Sequence, residues 1–209
     1  MSARWSRRDF SAGSVEIAQR LIGSTLVRIL DDGTRLSGVI VETEAYLGVE
    51  DAAAHSFGGR RTARNEAMYS VGGTAYVYFT YGMHHCVNVV CGGIDEPVAV
   101  LIRALEPVEG VDRMTNHRDT GQKRALRERD LCSGPGKLCK ALAIGREHNG
   151  VDLASSEVLW IEKPATRRKV RLANGPRIGV AYAGEWAGKP YRWWMKGNAN
   201  VNGGRRGPG

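Results

Sequence analysis

The chain contains no run of about twenty apolar residues, so nothing in it reads as a membrane-spanning helix. Its first residues, Met1-Ser2-Ala3-Arg4-Trp5-Ser6-Arg7-Arg8, are basic, yet Asp9-Phe10-Ser11 follows where a signal peptide would have an apolar core. No secretory or twin-arginine signal is expected. Cysteine is sparse, with four in 209 residues. Neither Cys86 with Cys91 nor Cys132 with Cys139 has the two-residue spacer of common zinc knuckles. His84 and His85 adjoin Cys86, but successive strand side chains point to opposite faces and cannot all converge on one ion. The expectation is four thiols acting as small buried hydrophobes in a reducing cytoplasm, with no metal and no cofactor. Internal repeats and interdomain linkers are also missing. One domain, residues 14–197, is expected between a short N-terminal arm (1–13) and a disordered basic tail (198–209) rich in Gly and Arg.

What the chain does have is positive charge. Thirty Lys and Arg against 22 Asp and Glu leave a formal +8. That balance suits a protein whose partner carries phosphates. Clusters sit at Arg60, Arg61 and Arg64 in a polar, Gly-rich stretch, and at Lys137, where Gly134-Pro135-Gly136 opens a helix.

The patterning is that of a mixed α/β chain. Ser14–Leu21 reads as a short amphipathic helix with Ser14 as its cap. Thr25–Leu30 and Arg35–Glu44 read as strands joined by the turn Asp31-Asp32-Gly33-Thr34. Further strands are expected at Thr74–Phe79, His85–Val90 and Val98–Arg103, then helical periodicity from Glu106 to Leu142, then late strands at Glu157–Ile161 and Arg177–Tyr182. These elements imply an antiparallel sheet edged by helices.

Three features carry chemistry. In Val39-Ile40-Val41-Glu42-Thr43-Glu44-Ala45-Tyr46, an otherwise apolar strand ends in carboxylates. Strict alternation would put Ile40, Glu42, Glu44 and Tyr46 on one face, with Glu44 and Tyr46 about 6.6 Å apart. A carboxylate in such a setting is costly unless it is paired or used. Val98 to Ile102 likewise ends in Arg103, a natural partner that would keep Glu44 ionised and help orient water. Third, Tyr76 and Tyr78 share a strand face, and Tyr81-Gly82-Met83 puts two large side chains at a turn. Such a turn either anchors on the core or wedges between stacked bases.

Glu44-Ala45-Tyr46-Leu47-Gly48, Ala54-His55-Ser56, Arg64-Asn65, Tyr78 to Gly82, Asn88, Leu101 to Pro107, Leu131 to Leu138 and Gly184-Glu185-Trp186 occur in one order. Together they resemble the alkyladenine (3-methyladenine) DNA glycosylase family over Phe10 to Lys196. The resemblance implies a curved antiparallel sheet flanked by helices, and monofunctional hydrolysis of damaged purines from duplex DNA by a monomer. It gives Glu44 the role of general base, with Arg103 and the Ile178 carbonyl positioning the water. Tyr46, His55 and Tyr78 match the base pocket, and Asn88 the residue that screens normal purines. Tyr81 matches the side chain inserted into the duplex, beside Met83; Met68, Arg60, Arg64 and Lys137 complete the expected DNA-contacting set. His84 and Ala63 depart from the family's aromatic and proline, which bears on substrate range. The implied location is a bacterial nucleoid or a nucleus.

Two other classes fit parts of the sequence. A module that binds distorted or single-stranded DNA without chemistry would use the same aromatics and charge, but leaves Glu44 without a purpose. A two-carboxylate sugar glycosidase built on Glu42 and Glu44 would need its carboxylates on opposite sides of the bond.

Overall fold

In the computed structural model of the chain, residues 3–80, 82–119, 121, 126–164 and 170–202 are described. Eight strands form one curled antiparallel sheet: β1 (Thr25–Ile29), β2 (Arg35–Tyr46), β3 (Ala75–Thr80), β4 (His84–Cys91), β5 (Val98–Glu109), β6 (Leu159–Glu162), β7 (Leu172–Gly175) and β8 (Arg192–Met195). The order β3-β4-β5-β2-β1-β6 runs across the sheet, and β2 is its centre. β2 pairs with β5 along its length, with β1 through its first half, and with β8 through Glu42–Glu44. The helices are α1 (Ser14–Leu21), α2 (Val111–Arg118), α3 (Glu128–Leu131) and α4 (Pro135–Ala141). None among the described residues is long and apolar enough to cross a membrane.

Alternation divides the sheet into two faces. Ile17, Ala18 and Leu21 of α1, Met114 of α2, and Leu138 and Cys139 of α4 pack with Val77, Val87, Val89, Val100 and Ile102 in the main core. The residues between those strand positions, Tyr76, Tyr78, Cys86, Asn88, Leu101 and Arg103, therefore face the other way, where they line a cavity. The helices thus stiffen one face of the sheet and leave the other to function. All four cysteines are buried and unbridged.

Several elements differ from the pattern-based expectation. The face assignment of β2 changes at its middle: Ile40 packs in the main core, while Val39 and Val41 lie opposite with Ala104 and Val201. The cause is a pair of irregularities in the β2–β5 register, where Val41 and Arg103 are each an extra residue between paired neighbours. A bulge puts two consecutive residues on one face, so Val41 and Glu42 both turn away from the core. β5 runs on to Glu109 because the start of β2 pairs with it, Gly38 with Pro107 and Ser37 with Glu109, and helix begins only at Val111. Gly38 also admits β5 closely, since a Cβ there would lie 3.0 Å from the Glu106 carbonyl oxygen.

Arg177–Tyr182 is not a strand. β7 ends before Pro176, Gly179 turns the chain at φ +79°, and a 3-10 segment follows at Ala181–Gly188. The strand of this region is β8, on the tryptophans. α1 begins at Ser14 with Gly13 at the cap, and Ser14 itself is buried. Of the expected disordered tail, residues 198–202 are folded: Asn200 and Val201 are buried and the Asn202 backbone N–H donates to Glu42 at 2.7 Å. The remainder, 203–209, lies outside the described residues, as does Tyr81.

Candidate active site

Glu44 is fully buried and surrounded by donors. The Ile178 backbone N–H donates to its Oε1 at 2.8 Å, the Tyr46 hydroxyl donates to its Oε2 at 2.9 Å, and Arg103 approaches Oε1 at 3.3 Å. The strand geometry supplies Tyr46, two residues along the same face of β2. Alternation along β5 supplies the guanidinium, since Arg103 follows core residue Ile102 and shares the cavity face with Leu101. Burial pushes the Glu44 carboxyl above its ordinary range; Arg103, the Ile178 N–H and the Tyr46 hydroxyl pull against that rise, and the Glu42 charge adds to it. Burial acts against the charge of Arg103, but Glu44 and Glu42 more than offset this and hold it above its usual value. Burial, then the Glu44 charge, keep the Tyr46 phenol protonated.

Tyr46, Arg103 and Ile178, the three groups on Glu44, line a cavity of about 370 Å³. That is room for a small planar ligand. His55, Met68, Tyr76, Tyr78 and Asn88 form more of its wall. The His55 ring meets Tyr78 edge-on at 4.6 Å, and its Nδ1 is 2.7 Å from the Tyr76 hydroxyl. Burial, then Arg64 and Arg60, lower the His55 pKa, so its ring is neutral at neutral pH. Asn88 donates its Nδ2 to the Tyr76 carbonyl at 3.0 Å and is buried, which fixes its amide. Met68 is also buried, packed with Tyr76 and Tyr78 as backing for the aromatic wall.

The expected DNA-contacting residues are more scattered. Arg64 is exposed at the mouth, donating to the Phe79 carbonyl at 3.1 Å with its guanidinium 5.8 Å from the Tyr78 ring. Arg60 is exposed, and its carbonyl accepts from Asn65 and Tyr69. Met83 is 69% exposed beside Gly82, whose φ of +66° makes the turn. Lys137 is exposed at the start of α4, and Gly136 lies so close to His84 that a Cβ there would be 3.0 Å from its ring. The helix start and the hairpin tip therefore form one edge of the mouth.

The sequence reading missed the clamp that holds Ile178. Arg177 and Asp51 are buried and paired through both terminal nitrogens, one at 2.8 Å. Arg177 also donates to the Ala45 carbonyl at 2.9 Å, and lies 4.8 Å over the Tyr46 ring. Asp51 accepts the backbone N–H groups of Leu47 and Ala53 as well. Nothing in a single sequence signals a pair 126 residues apart. Asp51→Asn turns an amide N–H₂ toward these donors and leaves the buried Arg177 charge without its partner, and the expected loss is about 3–5 kcal/mol. Urea unfolding checks it; an unchanged midpoint would show that the clamp is not holding the loop. Tyr182 was also missed: it is 71% exposed at the cavity's edge, with its hydroxyl donating to the Ala53 carbonyl.

The family profile described as methylpurine-DNA glycosylase (MPG) matches residues 8–199. The chain belongs to that family. It is 47% identical over 198 residues to the DNA-3-methyladenine glycosylase of Homo sapiens, an alignment covering 92% of this chain and 66% of the human protein. The mouse DNA-3-methyladenine glycosylase is 45% identical, over 96% of this chain and 62% of its own length. A putative 3-methyladenine DNA glycosylase of Bacillus cereus (strain G9842) is 43% identical, with 92% of this chain and 96% of that protein covered. The chain thus spans about two thirds of the length of the mammalian relatives and nearly all of the bacterial one.

Proposed function

We propose that this methylpurine-DNA glycosylase family member flips alkylated or deaminated purines out of duplex DNA and hydrolyses their N-glycosidic bond, leaving an abasic site in an uncut strand. The observation that carries the reading is Glu44: a buried carboxylate held by three donors, each of which lines the cavity. A carboxylate has about four acceptor positions, so these donors leave one for a water. In this conformation Glu44 is closed to solvent, and water is admitted as the base docks.

The chemistry balances simply. Glu44 takes a proton from the water, the water oxygen bonds to C1′, and the bond from C1′ to the purine nitrogen breaks with its electrons going to the base. The carboxylate also stabilises the oxocarbenium-like charge at C1′. A deaminated purine such as hypoxanthine takes a proton from solvent as it leaves. A purine alkylated at N3 or N7 is already cationic and leaves as a neutral molecule, so no strong acid is needed on it. Tyr46 and Tyr78 favour such electron-poor rings by stacking. His55, neutral and held by Tyr76, offers a hydrogen bond to the base edge, and the fixed Asn88 amide rejects purines whose exocyclic amino group would meet it. Tyr81 and Met83 fill the gap in the duplex, and Arg60, Arg64 and Lys137 meet its phosphates. Strand cleavage would need an amine nucleophile at C1′, and among the described residues no lysine lines the cavity.

The test is a single-turnover reaction on a duplex carrying one hypoxanthine. Free hypoxanthine is expected, with strands intact until alkali is added. Tight binding without release would favour the non-catalytic DNA-binding module. Affinity is also expected to fall linearly with salt on a log–log plot; a flat response, measured by fluorescence anisotropy, would remove the basic rim from the DNA face.

A further inference from the structure

Glu42 is a buried carboxylate that this chemistry leaves unused. Its Oε1 accepts from Arg103 Nε at 3.0 Å and from Arg192 at 3.1 Å, and its Oε2 accepts the Asn202 backbone N–H at 2.7 Å. All three partners are donors, so an ionised carboxylate suits the place and an amide does not. The bulge at Val41 is what turns Glu42 out of the core and toward Arg103. Arg103 consequently serves two carboxylates, Glu42 through Nε and Glu44 through a terminal nitrogen. On the far side, Glu42 is held by β8 and by the folded segment 198–202.

We infer that Glu42 is a positioning residue for the general base: it fixes the angle of the Arg103 guanidinium, shares its charge with Glu44, and makes residues 198–202 part of that support. This rests on Glu44 being the base. The charged and titratable groups around Glu44 are Arg103 from β5, Glu42 and Tyr46 on β2, Tyr78 from β3, Cys86 from β4, Arg177 before Ile178, and Arg192 opposite it on β8. Among the described residues, Glu42 is the like charge that raises the proton affinity of Glu44. Without it, Arg103 would act on Glu44 alone and weaken it as a base.

The test is the acid limb of single-turnover base release for the full chain and two variants that shift it in opposite directions. Glu42→Gln is expected to move the limb down by about one pH unit and lower the plateau about tenfold. Arg192→Gln removes a cation and lets Glu42 draw Arg103 away, so the limb is expected to move up. A purely structural role would reduce the amount of active protein in both variants without moving either limb. An unmoved limb in folded Glu42→Gln overturns the inference; if that variant does not fold, an unmoved limb in Arg192→Gln does so. Glu44→Gln, run beside them, separates the two readings: release at the wild-type rate would remove the base itself, and Glu42's role with it.

Discussion

Truncation of Arg103 to alanine is expected to cost the fold about 3–5 kcal/mol, the usual result of leaving buried charge without its partner. Glu42 would keep Arg192 and the Asn202 N–H, but Glu44 would lose its only guanidinium contact among the described residues. The loss depends on pH. In the variant, Glu44, already raised by burial and now without Arg103, would hold its proton to higher pH than in the unfolded chain. The unfolded state would then bind fewer protons between its own pKa and the raised one, so stability falls as pH rises through that window. Guanidinium unfolding of Arg103→Ala should therefore show the largest deficit at neutral pH and a smaller one in acid. A deficit equal at both would mean that lost packing, not lost charge, is the cause. Arg103→Lys is expected to recover only part of the loss, because an ammonium cannot span Glu42 and Glu44 as the fork does.

Glu44→Gln is expected to slow base release by about 10²–10⁴-fold, the range for removing a positioned base. The same change should leave stability unchanged or raise it, because the Gln oxygen can accept from Ile178 and Arg103 while its amide donates to the Tyr46 hydroxyl oxygen. Burial holds the Glu44 carboxyl above its ordinary range despite Arg103, so the ionised form is less comfortable in the fold than in water. Stability of the wild type should fall as pH rises from the ordinary glutamate value through the raised one, and Glu44→Gln should lack that fall. Catalysis needs the ionised form, so the wild-type rate should climb through an acid limb lying above the ordinary glutamate range. A limb at or below that range would place the base elsewhere.

Much of this site could be read from strand periodicity. Glu44 and Tyr46 are next-but-one neighbours, and their hydrogen bond follows from that spacing. The same rule put Tyr76 and Tyr78 on one face, where they are 5.3 Å apart. Arg103 at the end of an apolar strand pointed to Glu44, although its closer partner is Glu42. Alternation failed where the backbone breaks it: the bulge at Val41 puts Glu42 and Glu44 on the face opposite Ile40, toward Arg103, and no residue type there announces it. Tertiary pairing decided other elements. Glu106–Glu109 is helical by pattern and strand by its pairing with β2, and Arg177–Tyr182 looks like a strand but spends its backbone on Glu44. The Asp51–Arg177 clamp and the folding of 198–202 over Glu42 depend on contacts more than 120 residues apart.

The role of Glu44 is tested most directly by one paired measurement: affinity for a duplex carrying a single ethenoadenine, and release of the free base in one turnover, for wild type and Glu44→Gln. Equal affinity with release by wild type alone is the expected result. Release by Glu44→Gln at the wild-type rate would contradict the assignment of Glu44 as the group that activates water.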